Sequence, residues 1–149
     1  MKTYSPATMI GLVAAVVIGL FILVGCENMG HLYPANDLAE SIKGGEIPAH
    51  FTSFGTGNGT IEAMGPAGEV LTGSYGPVKE GEPFGDIFKS VYGDFATNPV
   101  HADNGTPTVA TLTGNKGTTM QCEFYNNDST GNGFGGCKSL AGALYRLQY

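Results

Sequence analysis

Residues 131–136, Gly-Asn-Gly-Phe-Gly-Gly, satisfy the G-x-G-x-x-G spacing of loops that cradle a dinucleotide phosphate. That chemistry needs a preceding parallel strand and a following helix whose amino terminus faces the phosphate. Here Cys137 and Lys138 follow and lead into a strand-like ending, so the helix is missing. The same stretch offers oxygen ligands. Asn126, Asp128 and Thr130, with Gly131 behind them, imitate the first half of an EF-hand calcium loop. Its twelfth position, where a bidentate Glu belongs, is Cys137, which leaves a single carboxylate against a divalent ion and supports weak calcium binding at most. Composition favours a wide turn, NNDSTGNG, built from residues that tolerate left-handed backbone and set between two cysteines.

Other catalytic combinations are scattered. His31, His50 and His101 lie in separate segments, without the three- or four-residue spacing of a metal site on one helix face. His101 and Asp103 with one of many hydroxyls would supply the parts of a triad, but nothing matches a nucleophile elbow such as G-x-S-x-G. Glu62, Glu69, Glu80, Glu82, Asp86 and Asp94 provide carboxylates for acid and base work, and their spread over turns and one helix face is what solubility alone requires. The expectation is a non-enzyme without cofactor or resident metal. A small hydrolase ranks behind a calcium- or glycan-binding module, and both rank behind a structural or interaction role.

The amino-terminal residues are more specific. Lys2 precedes seventeen uncharged residues, Met9 to Gly25, which is a secretory apolar segment or a minimal membrane span. Its end, Leu23-Val24-Gly25-Cys26, resembles the lipobox of bacterial lipoprotein signal peptides. The resemblance covers residues 1–26. It implies cleavage before Cys26, a diacylglyceryl thioether on its sulfur and a further acyl chain on the new amino group, enough lipid for stable membrane attachment. Glu27 is not the Asp that resembles an inner-membrane retention signal, so the implied address is the outer membrane of a Gram-negative envelope. With Cys26 committed to lipid, Cys122 and Cys137 remain in a compartment where disulfides persist, and they are expected to pair.

Beyond residue 25 the chain carries all 13 acidic residues and six of the seven basic ones, for a net charge of −7. No basic stripe exists to attract nucleic acid. The expected partners are the membrane, through acylated Cys26, and an unidentified envelope protein. Glycine makes up 21 of these 124 residues, so short strands and turns should dominate.

Organisation follows from periodicity. Residues 1–25 read as the signal peptide, 26–49 as a tether with a short helix capped at Asp37 and Glu40, and 50–149 as one small β domain. Residues 50–64 and 69–76 read as a hairpin bulged at Gly55 to Gly59. Phe84, Ile87, Phe88 and Val91 fall at helical spacing between Pro83 and Gly93, which predicts a short amphipathic helix over one end of the core. Met120, Cys122 and Phe124 alternate with polar residues, as do Ala143, Tyr145, Leu147 and Tyr149, so two strands each bury one face. Tyr125, of opposite parity to Phe124, is the expected exposed aromatic. Two echoes, Leu71-Thr72-Gly73 with Leu112-Thr113-Gly114 and Thr56-Gly57-Asn58-Gly59 with Thr130-Gly131-Asn132-Gly133, would follow from duplicated hairpins.

Over residues 106–149 the pattern resembles that of small uncharacterised Gram-negative envelope lipoproteins and implies no known activity. The fold expected is mainly β: a small antiparallel sandwich or partly closed barrel of five or six strands, with one short helix and one disulfide.

Overall fold

The computed structural model describes residues 26–42, 45–65, 68–93, 105–127 and 129–149. They form eight antiparallel strands in chain order: β1 (Cys26–Pro34), β2 (Ile47–Ser53), β3 (Gly59–Met64), β4 (Val70–Pro77), β5 (Thr106–Gly114), β6 (Thr119–Asn127), β7 (Asn132–Ser139) and β8 (Leu144–Gln148). Each strand pairs with the next, and β8 returns to β1 through His31↔Gln148 to Pro34↔Tyr145. The sheet is therefore a closed barrel with no free edge.

The mainly β class and the single disulfide agree with expectation, while the strand number and closure exceed it. Three segments account for the difference. Residues 26–34, read as tether, supply β1, whose inward positions include Gly30 and Leu32. Residues 50–64, read as one bulged arm, belong to two strands that reverse at Gly55, Thr56 and Gly57, three consecutive residues with positive φ. No strand continues through such a run. The glycines of GNGFGG, read as turn, lie in β7 except for Gly131.

Glycine replaces an apolar residue at inward positions because large rings reach across the lumen. Phe51, Tyr75, Phe124 and Tyr149 come from β2, β4, β6 and the end of β8, and Phe51 stacks on Tyr149 at 4.1 Å between centroids. The odd-numbered strands give them room. A Cβ at Gly30 would lie 2.6 Å from Tyr149 Cβ and 2.8 Å from the Phe51 ring, one at Gly59 would overlap Tyr75, and one at Gly133 would overlap Tyr149. Side chains from alternate strands thus fill one layer of a narrow barrel, and the interior is packed. Below that layer Leu32, Ile61, Leu71, Leu112, Tyr145 and Leu147 are essentially inaccessible to solvent.

One echo gains a structural meaning here. Thr56–Gly59 and Thr130–Gly133 both turn into a strand at the same barrel end, four strands apart. Each presents a glycine, Gly59 or Gly133, to a tyrosine, Tyr75 or Tyr149. The other echo lies face to face on neighbouring strands, Leu71↔Gly114 and Gly73↔Leu112, and does not follow that repeat.

Among the described residues, two helices decorate the barrel. Helix α1 (Asp37–Ser41) is capped one residue earlier than expected, by Asn36, whose Oδ1 accepts from Ala39 N–H at 3.0 Å. The same side chain accepts from Leu144 N–H and donates to Gly142 O, tying the helix to the β7–β8 turn. Helix α2 (Asp86–Tyr92) is the predicted amphipathic helix, but it lies on the outer wall over β6, β7 and β8 rather than over an end. Gly136 faces outward beneath it, where a Cβ would stand 2.7 Å from Val91 Cγ2. Phe84 and Phe88 pack edge-on against Tyr125 at 5.3 Å, so Tyr125 is half-buried rather than fully exposed.

Glu123 fixes α2. Its side chain points outward from β6 and is buried, and Oε2 accepts from the backbone N–H groups of Gly85 (2.9 Å), Ile87 (2.9 Å) and Phe88 (3.2 Å). A carboxylate thereby satisfies donors at a helix start that has no side-chain cap of its own. Glu123→Gln should cost about 2 kcal/mol, in the range for hydrogen bonds to a charged group. Hydrogen exchange is expected to accelerate in residues 85–93 while the barrel stays protected, and uniform acceleration over all strands would contradict this account.

Candidate functional site at the Cys26 end

Strand order places Cys26, the β2–β3 turn (residues 54–58), the β6–β7 turn and Tyr149 at one end of the barrel. The other end holds α1 and the β3–β4, β5–β6 and β7–β8 turns. Cys26 is the first residue of β1, pairs with Ser53, and is an exposed free thiol. Behind it lies a depression of about 400 Å³, bordered by Asn28, Ser53, Thr56, Tyr75, Asn126 and Tyr149 among others. Its floor is the aromatic layer, and its rim is amide and hydroxyl. Tyr149 donates its hydroxyl to Asn126 Oδ1 at 3.0 Å, and the Asn28 side chain approaches Gly131. Such a surface suits neutral hydrogen-bonding groups or the polar face of another surface.

Each expected site residue has a place. Cys122 and Cys137 face each other across β6 and β7 and form the disulfide inside the barrel, with Cα atoms 4.0 Å apart. Of the calcium candidates, Asn126 turns inward to Tyr149, and Thr130 stands in the exposed turn, where its hydroxyl accepts from Asn132 N–H. Asp128 lies outside the described residues. The turn is organised by Asn127, whose Oδ1 accepts from Ser129 and Thr130 N–H groups. Among the described residues, no group of three or more His, Cys, Asp or Glu is placed to hold a metal ion.

The histidines stay apart. His31 pairs with Glu46, His50 stands on the outer wall opposite Glu62, and His101 and Asp103 lie outside the described residues. Glu27, His50, Glu62, Thr52, Thr60 and Thr72 border a shallow, open depression of about 590 Å³ on that wall. Exposed charges there and at Lys138 and Arg146 reverse the pattern of a membrane-spanning barrel, which is apolar outside and polar inside.

Of the other carboxylates read from the sequence, Glu80 is exposed, Glu82 accepts from Lys79 N–H, and Asp86 begins α2. Asp94 lies outside the described residues. Glu69 is buried at the far end. It accepts from the Thr118 hydroxyl at 2.7 Å and from the N–H groups of Thr118 and Lys116, which closes the β5–β6 turn. The Thr118 hydroxyl, then its N–H, hold the Glu69 carboxyl below the ordinary glutamate range against the opposing effect of burial. A depressed pKa gives stability that is present above the unfolded value and lost as pH falls through the folded one. Thermal unfolding from neutral pH down to the acid range should therefore show a smaller acid-induced decrease in Glu69→Gln than in the wild type, and equal slopes would refute the assignment.

Sequence reasoning did not assign the roles of three residues that matter most. Glu123 and Glu69 bond to backbone N–H groups 35 to 49 residues away, a separation that no local pattern encodes. The outward parity of Glu123 and the need of Phe84 and Phe88 for a surface were the available signals. Phe54, 68% exposed at the β2–β3 turn, is the third, and its place beside a turn run of Gly55-Thr56-Gly57 was the clue. Comparison with protein-family models, with curated proteins and with solved structures gives no match for this chain.

Proposed function

We propose that the protein is a lipid-anchored component of a bacterial envelope, held at the membrane, most simply the outer membrane, through acylated Cys26. It acts there as a non-enzymatic structural, assembly or interaction module. The observation that carries this is the order Leu23-Val24-Gly25-Cys26 behind an uncharged apolar segment, supported by a Cys26 thiol that is free and exposed at the start of β1. The packed interior and the clamped helix support a rigid display body whose partner is another envelope protein.

The test is the intact mass of protein extracted from membranes, with and without reductant. The expected species begins at Cys26, carries a diacylglyceryl group, and gains about 2 Da on reduction of its disulfide. Cys26→Ser should lose the lipid mass and retain residues 1–25. A wild-type chain that retains those residues without lipid would overturn the anchor.

A further inference from the structure

We propose that the Cys26 end of the barrel lies directly against the bilayer, with the Phe54 side chain inserted at the lipid–water interface and the Leu140 end turned away. This rests on the membrane anchoring proposed above. The apolar stretch Met9 to Gly25 ends one residue before β1, and Cys26 is already paired with Ser53. Acyl chains on Cys26 put hydrocarbon at the first residue of the barrel, and a retained apolar segment puts it one residue away. With a strand rise of about 3.3 Å per residue, no spacer separates the barrel from the membrane.

Phe54 follows Ser53, the partner of Cys26, so it stands at the corner where the anchor enters. It is 68% exposed on a turn, residues 54–58, that has no charged residue. A phenyl ring gains at this depth by burying apolar area at the headgroup–acyl boundary, as Phe and Leu do on interfacial helices. Among the described residues, the charges of the same barrel end are Glu27, exposed beside Cys26 and bordering the outer-wall depression, and Lys79, Glu80 and Glu82, which follow β4 and precede β5, the strand opposite β1 in the closed ring. The barrel therefore tilts toward its β1–β2–β3 corner, and Glu80 and Glu82 remain in water. At the far end Leu140, Met64 and Leu38 are exposed as well, but Cys26, the anchor proposed above, stands at the opposite end.

The chain has no tryptophan, so a single one reports its own surroundings. Full-length Phe54→Trp and Leu140→Trp variants, processed in cells and reconstituted into vesicles of phosphatidylethanolamine and phosphatidylglycerol, are compared by fluorescence. Phe54→Trp is expected to show blue-shifted emission and quenching by brominated lipid, with protection from aqueous iodide. Leu140→Trp is expected to show red-shifted emission, quenched by iodide alone. Intact mass on the same samples separates the two claims. Lipidated protein with iodide-quenched, bromolipid-insensitive emission at position 54 overturns the orientation and leaves the anchor standing. Protein carrying neither lipid nor residues 1–25 overturns both. Both sites are exposed, so neither variant tests the core.

Discussion

Replacing Cys122 and Cys137 together by alanine should lower stability by about 3 kcal/mol, the entropic value for a closed loop of roughly 15 residues. The two residues are 15 apart and buried at 2% and 0% exposure, so the cross-link joins β6 to β7 inside the core. Its main effect is on the unfolded chain, which regains the freedom of the whole β6–β7 hairpin. Two sulfurs also leave a packed lumen, and that cavity adds to the loss. Urea titration of the oxidised wild type against Cys122→Ala/Cys137→Ala measures the difference. A change below about 1 kcal/mol would show that the hairpin is already restrained without the bond. Reductant should act slowly on the native protein, since attack requires access to a buried sulfur.

Gly135→Ala should cost as much or more, about 3 kcal/mol, at the upper end of the usual cost of overpacking. Gly135 faces Phe124 across β6 and β7, and a Cβ there would overlap the carbonyl oxygen of Glu123 and the Cβ of Phe124. Those atoms belong to the neighbouring strand of a closed barrel and have no room to retreat. Gly81→Ala is the contrast. Gly81 has φ +82 and nothing near its missing Cβ, so that change meets only the left-handed backbone penalty of about 1–2 kcal/mol. Should the two variants unfold at the same urea concentration, close packing at Gly135 would not be the cause.

Strands with strong alternation were legible. Met120, Cys122 and Phe124 turn inward as their parity predicted, and so do Ala143, Tyr145 and Leu147. The helix at Phe84 to Val91 was legible for the same reason, since its period is carried by four apolar residues. Strands whose inward positions are glycine were not. β7 reads as a turn because Gly133 and Gly135 are chosen for the rings they face, Tyr149 and Phe124, and a partner on another strand leaves no mark on local periodicity. The outer position of α2 was hidden likewise, because its floor, Gly136, and its anchor, Glu123, lie in later strands. Of the candidate site, Cys26 was legible as the end of an apolar run. Its neighbours Ser53, Asn126 and Tyr149 were not.

From the sequence alone came the β class, the pairing of the last two cysteines, the acidic charge and the expectation of an anchor at Cys26. These rest on composition, on short-range period and on counting thiols, all properties of a linear chain. Only the tertiary structure decided that the sheet closes on itself, that Tyr125 is half-buried under α2 while Phe54 is bare, and that Cys26 stands on the barrel rim beside Phe54. Those depend on which strands meet, and strand pairing is set by the joint packing of side chains far apart in sequence.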